Sequence, residues 1–113
     1  MSKDVYVLAE QRDGNIQKVA FELVGEATKL AKDLNEQVVA ILLGDGVTAK
    51  AEELIQHGAD KVIVVDDPEL KEYRTEPYTH ALASVINEYK PEIMLVGATA
   101  IGRDLGPTVS ARV

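Results

Sequence analysis

Short runs of β-branched residues alternate along this chain with longer segments of helical periodicity. Four runs are apolar at nearly every position, which is typical of parallel strands covered on both faces. The predicted strands are Val5–Ala9, Val38–Leu43, Val62–Val65 and Ile93–Val96. Between them, apolar residues recur at the spacing of one helix face, which predicts amphipathic helices. The three apolar stripes run from Ala20 to Leu34, from Val47 to Ile55 and from Tyr78 to Tyr89.

Turn and cap residues fall at the ends of these segments. Asp13-Gly14-Asn15 predicts a turn after the first strand, and Gly44-Asp45-Gly46 predicts a turn before the second helix. Thr75 is the predicted N-cap of the third helix, Pro91 ends that helix, and a last helix is expected from about Gly102. Strands and helices that alternate through such short links predict a three-layer α/β fold around a parallel sheet with right-handed crossovers.

Length and composition exclude several classes of protein. The chain has 113 residues, enough for one domain, and a net charge of −7, which disfavours nucleic acid and anionic lipid as partners. It contains no cysteine and two histidines, so a disulfide scaffold, a thiolate metal site and a cage of several histidines are not expected. It shows no signal-peptide pattern and no run of about 18 apolar residues. We therefore predict a single soluble, cytoplasmic domain without a metal site.

The last predicted helix carries few apolar positions, Leu105, Val109 and Val113, and no strand follows it. Doubly wound sheets commonly have five or more strands. We therefore expect this chain to be the N-terminal piece of a longer protein.

Two glycine-rich loops follow predicted strands, where parallel sheets bind their ligands. The first, Gly44-x-Gly46-x-x-Ala49, resembles a dinucleotide loop, because an acidic residue, Asp66, stands 20 positions after Gly46. However, Asp45 would place a carboxylate where a pyrophosphate has to sit, and the loop follows the second strand rather than the first. We therefore interpret this loop as a tight turn into a helix.

The second loop runs from Gly97 to Asp104 and comes close to a phosphate-binding P-loop. Arg103 and Asp104 replace the Lys and Ser/Thr that a P-loop requires, so NTP hydrolysis is not expected. Glycines let a ligand or partner approach the backbone closely, and Thr99 and Arg103 supply the side-chain donors. Gly97, Thr99, Gly102 and Arg103 are therefore the candidate contact residues, and a permissive turn into a helix is the alternative.

No catalytic arrangement is visible in the sequence. Asp66-Asp67 ends the third strand, where a receiver domain carries its phosphoacceptor, but the acidic pair expected after the first strand is reduced to Glu10. We interpret these aspartates as turn residues. His57 precedes Gly58 at a helix C-terminus, where a capping role explains it, and His80 is expected at the solvent edge of the third helix.

Taken together, four segments resemble the electron transfer flavoprotein alpha subunit, in particular its clostridial members. They are Val38–Gly46, Gly58–Val62, Thr75–Thr79 and Val96–Pro107. The resemblance covers essentially the whole chain, and the last segment is the most specific. It implies a Rossmann-like domain of the adenine nucleotide alpha hydrolase-like type, with residues 1–113 as the N-terminal domain of the subunit.

The resemblance also implies a function. Such a domain is a scaffold that docks on the electron transfer flavoprotein beta subunit, while a C-terminal domain, absent from this chain, holds most of the FAD. The complete heterodimer carries electrons through FAD from NADH or an acyl-CoA dehydrogenase to an acceptor. The resemblance implies that Gly97, Thr99, Gly102 and Arg103 meet the partner or the edge of a flavin, and that this chain alone binds no FAD.

Two other functions stay open at this stage. A stand-alone nucleotide-binding module of the universal stress protein type would share the strand–helix order, although Arg103-Asp104 stands where such proteins carry small hydroxylated residues. A receiver-like signalling domain would need phosphorylation at Asp66 or Asp67.

Overall fold

A computed structural model describes residues 2–112 of the chain. Six strands, four α-helices and two 3₁₀ turns follow one another in this part of the chain. The strands are β1 (Ser2–Ala9), β2 (Gln11–Arg12), β3 (Asn15–Ile16), β4 (Val38–Gly44), β5 (Lys61–Asp66) and β6 (Pro91–Leu95). The helices are α1 (Lys18–Leu34), α2 (Ala51–Gln56), α3 (Thr75–Tyr89) and α4 (Ala100–Arg112), and the 3₁₀ turns are Thr48–Lys50 and Pro68–Leu70.

The main sheet is parallel, with the strand order β5-β4-β1-β6. All seven residues of β4 are buried, which agrees with its unbroken apolar run. β1 lies beside it, with Val7 opposite Ala40 of β4 and Leu95 of β6. The outer strands β5 and β6 are only partly buried. The predicted parallel α/β sheet is therefore confirmed.

Helices cover both faces of this sheet. Successive residues of a strand point to opposite sides, so each central strand contributes to two cores. On one face, Val5 and Val7 pack in a core with residues of α1 and α2. On the other face, Tyr6 and Leu8 pack with residues of α3 and α4. The helical members of these two cores are Ala20, Val24, Ala27, Ala31 and Leu54 on the first face, and Tyr78, Leu82, Val85, Leu105 and Val109 on the second. The predicted three layers are present.

The segment between β1 and α1 contains an antiparallel hairpin that the periodicity did not predict. β2 and β3 pair through Gln11 with Ile16 and through Arg12 with Asn15. Asp13 and Gly14 have φ angles of 53° and 82°, as a tight hairpin turn requires. The predicted turn is therefore correct, but strands of two residues are too short to produce a recognisable alternation.

The prediction of Thr75 as a helix N-cap was wrong. α3 begins at Thr75, its N-cap is Arg74, and no side chain caps it. The Thr75 hydroxyl instead donates to a carboxylate oxygen of Asp104 at 2.7 Å. A hydroxyl in the first turn of α3 thus binds α4 and is not available to its own helix end.

Among residues 2–112, no helix combines the length and the apolar character needed to cross a bilayer.

Candidate functional site at the carboxyl edge of the sheet

The loops that follow the parallel strands meet at one edge of the sheet. The crossovers from β1 to β4 and from β4 to β5 carry α1 and α2 on one face, while the crossover from β5 to β6 carries α3 on the other. The strand order therefore reverses between β1 and β6. Folds of this type bind ligands outside the carboxyl ends of the strands at such a point. All four predicted contact residues lie in the connection from β6 to α4 or in the first turn of α4, directly at this position.

Glu10, the residue after β1, contacts the loop that follows β6. It is 8% exposed, and the Thr99 hydroxyl donates to its two carboxylate oxygens at 2.9 and 2.8 Å. The Gly102 N–H in turn donates to Thr99 Oγ1 at 3.0 Å, which is the hydrogen bond of a helix N-cap. Thr99 therefore joins the end of β1 to the beginning of α4.

Gly97 and Gly102 are required because this loop folds tightly onto itself. A Cβ atom on Gly102 would lie 2.0 Å from the carbonyl oxygen of Gly97. A Cβ atom on Gly97 would lie 2.9 Å from Glu10 Oε2 and 3.0 Å from Val19 Cγ2. The two glycines thus let other atoms of this chain approach the loop backbone closely. The sequence had indicated a ligand or a partner in that position.

Arg103 differs from the other three predicted residues because it is exposed. Its backbone N–H donates to the Thr99 carbonyl at 2.8 Å, which places it in the first turn of α4. The adjacent Asp104 accepts hydrogen bonds from the hydroxyls of Tyr73 and Thr75. Arg103 is therefore the predicted side chain that this edge presents to solvent.

The Tyr73–Asp104 contact changes the acidity of both groups. The hydrogen bond from Tyr73, followed by the one from Thr75, lowers the pKa of Asp104 below its ordinary value of 3.8. Burial, followed by the hydrogen bond to Asp104, raises the pKa of Tyr73 to about 12. Both groups keep their usual charge states at neutral pH, so the contact is a stable link between the loop after β5 and α4.

A second network closes the neighbouring crevice. Gln11 Nε2 donates to the Leu43 carbonyl at 3.2 Å and to the Tyr78 hydroxyl at 3.0 Å. The Tyr78 hydroxyl donates to the Leu70 carbonyl at 2.6 Å. The cavity left beside these side chains has a volume of about 20 Å³. That volume is close to the minimum for one water molecule, so the crevice has no room for a nucleotide.

The turn from Gly44 to Thr48 holds a carboxylate of the chain itself. Asp66 accepts from the N–H groups of Gly46, Val47 and Thr48 at 2.7, 2.9 and 3.1 Å, and from the Thr48 hydroxyl at 2.8 Å. The Thr48 hydroxyl first, then the Gly46 N–H, lowers the pKa of Asp66 below 3.8. The amides that a dinucleotide loop would turn toward phosphate are thus occupied, and the interpretation as a tight turn agrees with the structure.

The other predicted turn and cap residues also have structural roles. Asp67 caps the 3₁₀ turn Pro68–Leu70 by accepting from the Glu69 N–H at 2.9 Å. His57 lies at the C-cap of α2, where its ring stacks on Phe21 with centroids 4.0 Å apart. Within the described residues, no group of three or more His, Asp or Glu side chains could hold a metal ion.

Glu10, Gln11, Tyr73 and Tyr78 build this edge but were not predicted as site residues. Glu10 and Gln11 gave a usable signal, because two adjacent polar residues directly follow a buried strand. Tyr73 and Tyr78 gave none, since their partners lie 31 and 67 residues away along the chain.

Comparison with known proteins shows which family the chain resembles in sequence. The sequence profile described as the electron transfer flavoprotein domain matches residues 5–113. The electron transfer flavoprotein subunit alpha of Clostridium acetobutylicum is 46% identical over 97% of this chain and 33% of its own length. The acryloyl-CoA reductase electron transfer subunit beta of Anaerotignum propionicum is 51% identical over 97% of this chain and 30% of its own length. The chain thus spans about a third of the length of these relatives.

A solved structure supports the fold. A universal stress protein, crystallised in complex with cAMP, superposes with a TM-score of 0.59 at 18% identity, covering 98% of this chain and 91% of that protein. At this identity the likeness concerns the fold alone. The profile match and the close relatives agree with the resemblance found in the sequence, and the chain belongs to the electron transfer flavoprotein domain family.

Proposed function

We propose that residues 1–113 are the N-terminal scaffold and docking domain of an electron transfer flavoprotein alpha subunit. The domain docks on a beta subunit and positions a flavin that a C-terminal domain holds. The complete heterodimer carries electrons through FAD between NADH or a dehydrogenase, such as an acyl-CoA dehydrogenase, and an acceptor in the cytoplasm. This role is that of an electron carrier and requires no catalytic residue in this domain.

The observation that carries the proposal is the closed crevice outside the carboxyl ends of β1 and β6. Glu10 and Thr99 fill the point where related folds bind ligands, and Gln11 and Tyr78 seal the adjoining space. The side chains of the domain itself thus occupy the usual ligand position, and hydrogen bonds hold the edge of the sheet in place. Such a domain is suited to fixing the distance between the beta subunit and the flavin.

The described residues do not fit FAD as its principal holders. A flavin dinucleotide needs backbone N–H groups directed at its pyrophosphate. Asp66 accepts the N–H groups of the Gly46–Thr48 turn, and Thr99 accepts those of Gly102 and Arg103 in the first turn of α4. The proposal therefore assigns no electron-transfer step to groups of this domain.

Within the proposal, the predicted contact residues have two roles. Gly97, Thr99 and Gly102 shape the loop, because their atoms contact one another and Glu10. Arg103 makes the contact, because its side chain is exposed at the edge that the loop forms. We propose that this guanidinium meets an acidic group of the partner or the edge of the neighbouring flavin.

The test uses the full-length alpha subunit co-expressed with its beta subunit. We expect Arg103→Glu to weaken the heterodimer by about tenfold, as replacing an attraction by a repulsion does. Lys32→Glu is the matched control, because Lys32 lies in the last turn of α1 at the opposite end of the sheet. Gel filtration and the flavin absorbance per heterodimer are measured. Full recovery of a yellow heterodimer with Arg103→Glu would refute the contact role.

The universal-stress-protein alternative is tested on the 113-residue chain alone. The shared fold favours it, whereas the small cavity does not. Calorimetric titration with ATP and AMP distinguishes the two proposals. Micromolar binding that is lost on substitution of Gly97 would support a nucleotide-binding module and contradict the scaffold.

A further inference from the structure

The protein has a further groove that plays no part in the proposed function. It has a volume of about 760 Å³ and lies between the outer strand β5 and helix α3. Ile63 and Val65 of β5 and Ala81 and Val85 of α3 form its apolar floor. The groove is separate from the loop between residues 97 and 103, and none of those residues lines it.

The strand beside this groove has one unpaired edge. β5 is the last strand of the sheet and pairs only with β4 among the described residues. Four consecutive apolar residues of β5, Val62 to Val65, are only partly buried. An edge strand of this kind offers backbone N–H and C=O groups to an added strand.

Carboxylates stand at both ends of the groove. Asp67, Glu69 and Glu76 line the end near the carboxyl edge of the sheet, and Glu88 lines the other end. Two basic side chains also belong to the lining, His80 and Arg74, and Nη2 of Arg74 lies 3.4 Å from the Glu69 carbonyl oxygen. Glu76 also has an interaction within the chain, but the four carboxylates outnumber the two basic side chains. The groove therefore favours a positively charged occupant, and a second copy of this chain, with its net charge of −7, is disfavoured.

The spacing of these charges matches a strand. Glu76 and Glu88 are 88 − 76 = 12 positions apart on α3, which corresponds to about 18 Å along the helix axis. β5 has 6 residues, and a strand of that length spans about 20 Å. An extended segment paired with β5 would thus place its two ends near the acidic ends of the groove.

We propose that this groove binds an extended segment of a partner protein, with a basic residue at each end and aliphatic residues between them, as an additional strand on β5. Backbone hydrogen bonds to β5 supply the register. The aliphatic side chains cover Ile63 and Val65, and the basic ends meet the carboxylates.

The test measures binding of a fluorescent peptide to the intact protein by anisotropy. The peptide has seven residues, one more than β5. Lysine stands at positions 1 and 7, valine at 3 and 5 and threonine at 2, 4 and 6, so that both lysines and both valines point to the same face of the strand. We expect Glu76→Lys with Glu88→Lys to reduce its affinity about tenfold. The matched control, Glu22→Lys with Glu52→Lys, adds the same charge on α1 and α2, across the sheet, and should keep the affinity within about twofold.

Ser84→Trp provides a test without a change of charge. Ser84 lines the groove from α3, so an indole there blocks the groove while the helix stays intact. Peptides N-methylated at alternate residues test the backbone pairing, since one of the two alternating patterns should abolish binding and the other should not.

The proposal is contradicted if the wild-type protein does not bind the peptide, or if the Glu76/Glu88 variant binds it as well as the control variant does. Equal binding of both N-methylated peptides would exclude strand pairing. None of these outcomes depends on flavin or on heterodimer formation, so they do not test the proposed function.

Discussion

Asp66 acts as an internal anion for the turn before α2. Three backbone N–H groups and one hydroxyl donate to its carboxylate, although the residue is exposed. Its pKa is lowered in the folded protein, so its contribution to stability is present above the unfolded value of 3.8 and is lost as the pH falls through the lower folded value.

We expect Asp66→Asn to lower the melting temperature at neutral pH and to reduce the loss of stability below pH 3.8. An amide offers one acceptor oxygen and brings an NH₂ group toward the N–H donors. Thermal melts followed by circular dichroism from neutral to acidic pH measure both effects. Asp45→Asn, in the same turn, is the control, and equal pH profiles for the two variants would contradict the role of Asp66.

Thr79 is fully buried on α3, and its hydroxyl has no hydrogen-bond partner among the described residues. Burying an unpaired hydroxyl is unfavourable, and valine has nearly the same shape. We therefore expect Thr79→Val to raise the free energy of unfolding by about 1 kcal/mol. Urea denaturation measures it, with Thr108→Val as the control, because the Thr108 hydroxyl donates to the Asp104 carbonyl at 2.8 Å. A loss of stability in Thr79→Val would show that its hydroxyl has a partner.

At the scale of elements, the glycine at the junction between β6 and α4 differs in kind from the glycine inside α1. A Cβ atom on Gly102 would lie 2.0 Å from the Gly97 carbonyl oxygen, whereas a Cβ atom on Gly25 would meet nothing within 4 Å beyond its own helix neighbours. Gly102 is therefore required for steric reasons, and Gly25 is not.

We expect Gly102→Ala to destabilise the domain by about 2 kcal/mol, because the loop has to move to admit the methyl group. Gly25→Ala should instead stabilise it by about 0.5–1 kcal/mol, because Gly25 lies inside α1 and alanine has the higher helix propensity. Chemical denaturation of both variants measures the difference. Similar free energies of unfolding for the two variants would mean that the loop admits the methyl group without loss of stability.

The larger elements were predictable from the sequence, and the hydrogen-bond networks were not. β4 gave a clear signal because every residue from Val38 to Leu43 is apolar, as a strand buried on both faces requires. Gln11–Tyr78 and Tyr73–Asp104 join distant parts of the chain, and no local pattern encodes such pairs. Thr75 shows the same limit, because its hydroxyl binds Asp104 of α4, which lies 29 residues away along the chain.

At the scale of the whole molecule, burial decreases from the centre of the sheet to its edges. β4 is completely buried, whereas most residues of β5 and β6 are only partly buried. Because local opening requires the least loss of contacts at the edges, stability should follow the same order.

We expect the amide hydrogens of β1 and β4 to exchange most slowly and those of β5 and β6 measurably faster. Hydrogen exchange followed by mass spectrometry or NMR measures these rates at each strand. Binding of a basic strand to β5 should slow exchange in that strand, while β6 serves as the internal control. Uniform protection across the four strands would contradict a graded sheet.

The carboxylate of Asp66 has a consequence for how this domain behaves in a cell. A turn that contains its own negative group has no vacancy for free phosphate or nucleotides, whose concentrations change with the energy supply. The shape of this turn is therefore independent of the surrounding phosphate and nucleotide concentrations, as the proposed role of a support between two redox centres requires.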